Sequence, residues 1–155
     1  MKLLIIVPAL CFSFLSRPAV AQQSAVNWTA FGALDDSLRQ EVKPVMLYFN
    51  TEWCTYCRKM EKRVFTKRGI ADVLNERYYA VKMDAETTDT IYFEGQAFVN
   101  GNAGNQSRGI HELAQLFSRE TGFVAPTLIV LDKDFRVKEA RYEYLHSAQL
   151  RQLLR

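Results

Sequence analysis

Lys43-Pro44-Val45-Met46-Leu47-Tyr48-Phe49-Asn50-Thr51-Glu52-Trp53-Cys54-Thr55-Tyr56-Cys57-Arg58-Lys59-Met60-Glu61-Lys62-Arg63-Val64-Phe65 reads as a strand that runs directly into a helix. Val45 to Phe49 is apolar at every position, so both of its alternating faces need cover, as in a central strand. Pro44 stands at the strand's first position, where a missing N–H is tolerated. From about Thr55 to Lys67 the apolar residues Cys57, Met60, Val64 and Phe65 fall on one helical stripe. Two cysteines therefore stand at the junction, three residues apart at a helix start, and their sulfurs are within reach of one another.

That placement carries chemistry. The first amides of a helix lack intrahelical partners and point toward Cys54. Together with the helix dipole they favour a thiolate and lower its pKa below the free value of ~8.5. A thiolate is the attacking species in disulfide exchange. Cys54, nearer the open end, is expected to attack a substrate disulfide, and Cys57 to release the product by attacking Cys54. Other readings of the two thiols fit less well. A zinc site needs His111 and His146, which are far more distant in sequence than zinc-finger ligands are. No metal and no cofactor are expected. A purely structural disulfide closing so short a loop contributes little by chain entropy. His111 reads as a packing or capping residue at a helix start, and His146 as a surface residue.

Upstream, Trp28, Phe31, Leu34 and Leu38 are spaced as in a helix over Trp28 to Val42. The helix after the cysteines leaves Arg58, Lys59, Lys62, Arg63, Lys67 and Arg68 outside. Two readings of that basic face stand: attraction of an acidic partner, or a solvated face whose later cations suit the helix end. Gly69 is expected to break the helix, with a short helical turn over Ile70 to Asn75. Tyr78 to Met83 reads as a strand ending at Asp84. Thr90–Phe93 and Gln96–Val99 flank Glu94-Gly95 as a small hairpin, and Asn100 to Gly109 reads as loop. Ile110 to Glu120 is expected to be helical with Leu113, Leu116 and Phe117 inward. Pro126 opens a strand over Thr127–Leu131. Asp132-Lys133-Asp134 turns the chain into an antiparallel partner, Phe135 to Tyr144. Ser147 is expected to cap a last helix carrying Leu150, Leu153 and Leu154. Strands alternating with helices and closing on a hairpin predict an α/β domain, a mixed central sheet flanked by helices with an insert before the third main helix.

The 155 residues include a start that reads as an address. Met1 and Lys2 precede an apolar run from Leu3 to Leu15, then Arg17, Pro18 and the small-x-small sequence Ala19-Val20-Ala21. This predicts a secretory signal over 1–21 and a domain over 22–155. The run is shorter than the ~20 residues a membrane-spanning helix needs. Removing Lys2 and Arg17 from 20 basic residues leaves 18 against 17 acidic ones, a formal charge of about +1, which gives no case for nucleic-acid binding. Of the three cysteines, Cys11 leaves with the signal. The expected location is an oxidising compartment, the bacterial periplasm foremost.

The order of strand, Trp53-Cys54-x-x-Cys57 and Ala125-Pro126-Thr127 strand resembles the thioredoxin superfamily. The chain is most similar to exported bacterial thioredoxin-like proteins with the pattern KPVxLYFxTxWCxxCxxMExxVF, and the resemblance runs from about Val26 to Leu154. Val81-Lys82-Met83-Asp84-Ala85-Glu86, Phe93 to Phe98 and Gly109 to Ala114 also match. The resemblance implies a thioredoxin fold and thiol–disulfide exchange with protein substrates, expected in the reducing direction. It implies protein disulfide or dithiol partners, a membrane thiol-electron donor and a monomer. It implies a cis bond before Pro126, in a loop that faces the cysteines and pairs with a bound peptide. Trp53, Thr55, Tyr56, Ala125 and Pro126 are then the expected substrate-contacting residues. The alternatives are a disulfide oxidase or isomerase, or a peptide-binding module without turnover. The sequence departs from the family at Thr55-Tyr56, where cytosolic thioredoxins have Gly-Pro, and at Tyr48, where many carry a buried acid. The 86–109 insert is expected to cover the sheet edge, with an extended substrate surface as the other reading.

Overall fold

A computed structural model describes residues 25–102 and 109–155. The predicted signal over 1–21 and part of the Asn100–Gly109 loop lie outside the described residues. The elements in chain order are β1 (Trp28–Thr29), a 3-10 turn (Phe31–Ala33), α1 (Leu34–Gln40), β2 (Val45–Asn50), α2 (Thr55–Arg63), α3 (Arg68–Arg77) and β3 (Tyr79–Asp84). There follow β4 (Ile91–Phe93), β5 (Gln96–Phe98), α4 (Glu112–Gln115), β6 (Thr127–Leu131), β7 (Val137–Arg141) and α5 (Ser147–Leu153).

Five strands form one sheet in the order β1-β3-β2-β6-β7, and β4 with β5 forms a separate two-stranded ribbon. β2 is parallel to β3 and antiparallel to β6, so it lies at the centre of a mixed sheet. Its continuous apolar run follows from that position. Met46 and Tyr48 enter one core cluster, while Val45, Leu47 and Phe49 enter the other. β6 divides in the same way, Leu128 and Val130 against Ile129 and Leu131. The period of two along each strand thus builds two cores, one on each face. The first is closed by Met60 of α2, Ile70, Ala71 and Leu74 of α3, and Leu150 of α5. The second is closed by Phe31, Leu34, Leu113 and Ala114, with Phe93 and Phe98 of the ribbon packed against it.

Several local expectations are corrected. Trp28 is not helical. It lies in β1, paired in parallel with Ala80, and its ring packs against Phe65 at 5.0 Å and Tyr48 at 5.9 Å. α2 ends at Arg63, with Val64 as its C-cap, rather than near Lys67. Gly69 does not break the chain's helicity but sits in the first turn of the ten-residue α3. Ile70, Ala71 and Leu74 supply one buried stripe, which outweighs the modest helix cost of a single glycine. The strand expected over Phe135 to Tyr144 is shorter, because Asp132 holds the turn. Its carboxylate accepts from the backbone N–H groups of Asp134 and Arg136 at 2.8 and 2.9 Å. α4 has a single turn. Beyond it the bonds tighten to i→i−3, Phe117 to Ala114 and Ser118 to Gln115, and the helix stops before Glu120. Leu116 is consequently exposed (66%) rather than inward.

The hairpin forms on Glu94-Gly95, both with positive φ (49° and 74°), the geometry of a two-residue primed turn. Asp35 of α1 accepts the Glu94 N–H at 2.6 Å and ties the turn down. The described part of the insert does not extend the sheet. The ribbon pairs with neither edge strand, and its Phe93 packs edge-on to Phe31 at 5.5 Å, over the second face. His146, not Ser147, is the N-cap of α5, in a capping box with Gln149. His111 is wholly buried as the N-cap of α4. Its Nδ1 accepts from Leu113 N at 3.2 Å, which leaves Nε2–H to donate to the Asp89 carbonyl at 3.1 Å.

Candidate active site

β2 ends at Asn50, and four residues later Cys54 is the N-cap of α2. The strand is fixed from both faces of the sheet, so the loop it delivers is fixed as well. Cys54 has extended backbone angles, and its Sγ accepts the N–H of Cys57 at 3.0 Å, satisfying one of the helix's orphan amides. Cys54 and Cys57 form a disulfide, with S–S 2.12 Å and Cα–Cα 5.2 Å. Both cysteines belong to the first core cluster. Cys54 keeps 4% of its surface and Cys57 1%, so what access there is lies with Cys54.

Tyr48, at the position where the family often has an acid, donates its hydroxyl to the carbonyl of Cys57 at 3.2 Å. Burial, and secondarily the negative charge of Glu61, raise its phenol well above the ordinary range near 10. The folded chain therefore holds the Tyr48 proton more tightly than the unfolded chain does. The stability this confers is complete below the unfolded phenol pKa of about 10 and is lost as pH rises above it. Denaturation midpoints are expected to fall between about pH 10 and pH 12 more steeply in the wild type than in Tyr48→Phe, which lacks the group. Equal slopes would assign the alkaline loss to other residues.

The remaining predicted site residues cluster around this bond, each for a separate reason. Trp53 is 57% exposed, and its indole N–H donates to both carboxylate oxygens of Glu86 at 3.0 and 3.1 Å. Thr55 and Tyr56 are exposed on the first turn of α2. The Arg58 guanidinium donates to Thr55 Oγ1 at 3.2 Å and also to the Glu52 carbonyl. Tyr56 is 60% exposed, and its ring lies 5.9 Å from that of Tyr144. β6 runs antiparallel to β2 in a register that pairs Phe49 with Thr127. That register brings the start of β6 to the same end of the sheet as the cysteines. The Ala125–Pro126 peptide there is cis. Pro126 is buried, and Ala125 packs against the cluster that contains both cysteines. The Thr127 hydroxyl donates to the Val124 carbonyl at 2.6 Å and closes the loop from within.

Four supporting residues escaped sequence reasoning: Glu86 beneath Trp53, Thr127 under the proline loop, Tyr144 beside Tyr56, and Asn100. The amide of Asn100 donates to the carbonyls of Glu86, Thr87 and Gly109 at 3.4, 3.1 and 2.8 Å, so the loop after β3 and the approach to α4 are held together. Among the described residues no helix is long and apolar enough to cross a membrane.

A central mixed sheet between helices, with a Cys-x-x-Cys disulfide at the start of the helix that follows the central strand, is a thioredoxin fold. The family model described as Thioredox_DsbH, a protein of unknown function (DUF255), matches residues 15–109, and the chain belongs to that thioredoxin-like family. Solved structures agree on the fold. A DsbH oxidoreductase superposes with a TM-score of 0.56 at 18% identity, covering 86% of this chain and 85% of that one. A thioredoxin from Thermus thermophilus gives 0.57 at 21% identity, covering 84% and 85%. The reduced DsbD C-terminal domain of Neisseria meningitidis gives 0.51 at 17%, covering 79% and 88%. An uncharacterized protein of Caenorhabditis elegans is 27% identical over 81 residues, 52% of this chain, which spans 11% of that relative's length.

Proposed function

We propose that the chain is an exported thiol–disulfide oxidoreductase that reduces disulfides in protein substrates. The observation that carries this reading is the Cys54–Cys57 bond at the head of α2, where the Cys57 amide already points at Cys54 Sγ. Reduced Cys54, as thiolate, attacks a substrate sulfur. The substrate S–S bond breaks, a mixed disulfide forms, and the leaving sulfur takes a proton. Cys57 then attacks Cys54 Sγ, restoring the internal disulfide and freeing the second substrate thiol. Two electrons pass from the chain to the substrate. Trp53, Thr55 and Tyr56 form one wall for the incoming peptide, and the Ala125–Pro126 loop forms the other.

The reducing direction is the one that the resemblance to the thioredoxin superfamily implies, and the reduction potential separates it from a strong oxidant, whose reduced form is stabilised. Structural neighbours are consistent with a cycling site, since the Neisseria DsbD C-terminal domain is known in reduced and oxidised forms. A signal over 1–21, release of a monomeric domain over 22–155 into a bacterial periplasm and recharging by a membrane thiol-electron donor complete the proposal. Neither a cofactor nor a nucleic acid is required. Equilibration with glutathione buffers tests it, with free thiols counted by alkylation. The chain is expected to gain and lose two thiols together, and cysteines that never change state would contradict the reading.

A further inference from the structure

The basic outer face of α2 does not stand alone in the fold. It forms one side of a cleft of about 450 Å³ whose other side is the segment leading into α5. Lys59, Lys62, Arg63 and Lys67 line it, facing Tyr144 and His146, and no acidic side chain does. All four cations are exposed, and none makes an ion pair among the described residues. Glu61, the acid on the same helix, is engaged elsewhere with Lys82 at 2.9 Å. On α2, Lys59 stands three and four residues before Lys62 and Arg63, a like-charge spacing that destabilises a helical surface by a few tenths of a kcal/mol per pair. The dipole offsets this only for Lys62 and Arg63, in the last turn of α2. Lys67 is the N-cap of α3, where a cation opposes the dipole and where no acid stands in the first turn. A merely solvated face has no reason to concentrate charge so unfavourably.

The cleft is continuous with the disulfide site. Tyr56, between the two cysteines, has its ring 5.9 Å from Tyr144. Lys59 Nζ lies 4.8 Å from the centre of the Tyr144 ring, and the edge of His146 meets the same ring at 4.9 Å. Tyr144 thus touches both Tyr56 of the Cys-x-x-Cys motif and the cationic side of the cleft.

We infer that this cleft docks an acidic segment of the protein whose disulfide is exchanged, an inference that rests on the thiol–disulfide reading above. The site then selects disulfides flanked by Asp and Glu. Binding and chemistry are separable, because a small neutral disulfide reaches Cys54 without entering the cleft.

The test is single-turnover oxidation of the reduced, full chain, followed by thiol counting. Two synthetic disulfide peptides are compared, one with an Asp/Glu-rich flank and one with Gln and Ser in the same places. Bis(2-hydroxyethyl) disulfide serves as the internal reference. At low salt the acidic peptide is expected to react at least about tenfold faster than its neutral twin, the scale of electrostatic steering. The advantage is expected to vanish near 1 M salt, where the screening length is about 3 Å. In Lys62→Glu/Lys67→Glu the ratio is expected to fall to about one, and in Lys62→Gln/Lys67→Gln to an intermediate value. Rates on the reference disulfide and unfolding midpoints establish that the variants are folded. Equal rates for the two peptides in the wild type, or an acidic preference that survives charge reversal, would overturn the inference. So would a short oligonucleotide or anionic vesicles competing at lower concentration than a cysteine-free acidic peptide. Failure of the reference disulfide to oxidise the wild type at all would instead bring down the redox reading itself.

Discussion

Cys57→Ser is expected to leave the chain covalently joined to its substrates, whereas Cys54→Ser is not. The asymmetry follows from access. Both sulfurs sit in the core cluster, but Cys54 retains the larger exposure and caps α2, while Cys57 lies on the inward stripe with Met60. A substrate sulfur bonded to Cys54 is released only by attack from Cys57, so a serine there stops the reaction at the mixed disulfide. Turnover is expected to fall to background in both variants, and non-reducing gels of extracts distinguish them. Adducts should accumulate with Cys57→Ser and disappear on adding reductant. Comparable trapping by the two variants would mean that the assignment of attacking and resolving thiols is wrong.

The largest effect on stability is expected from Phe49→Ala. Phe49 is fully buried in the central strand, belongs to the second core cluster and stacks on Phe117 at 5.8 Å. Removing the ring forfeits its transfer energy and leaves a cavity between sheet and helix, at a cost of about 3–5 kcal/mol. Because β2 carries the loop to Cys54, slower disulfide exchange should accompany the lower denaturation midpoint. Leu116→Ala supplies the contrast. Sequence spacing places Leu116 in the core, but the structure exposes it, and its truncation should change stability by no more than about 0.5 kcal/mol. A large loss at Leu116 would restore the longer helix that spacing predicts.

The strands that build the centre were legible because burial on both faces writes itself as an uninterrupted apolar run, as in Val45–Phe49 and Thr127–Leu131. Trp28 was misread because Trp28, Phe31 and Leu34 fit a helical period, while the pairing with Ala80 that makes it a strand is contributed by residues 52 positions away. The end of α4 depended on how backbone bonds tighten after Gln115, which side-chain periodicity does not encode. The disulfide-forming cysteines were legible for the opposite reason. Their whole context, strand, loop and helix start, is local in sequence. The residues that brace them are not. Glu86 meets Trp53 across 33 positions, and Tyr144 approaches Tyr56 only because the segment leading into α5 lies beside α2. The basic face illustrates the limit of composition. Its cations were visible, but the cleft they line exists only once Tyr144 and His146 stand opposite.

If Cys54 and Cys57 cycle as a reducing dithiol, the reduction potential of the purified chain shows it, measured by equilibrating the chain against graded ratios of reduced and oxidised glutathione and quantifying the thiols after alkylation. A two-electron transition near about −270 mV is the expected result. A transition between about −180 and −120 mV would contradict the reducing direction in favour of an oxidase or isomerase. Cysteines whose state never changes across the series would contradict the redox function altogether.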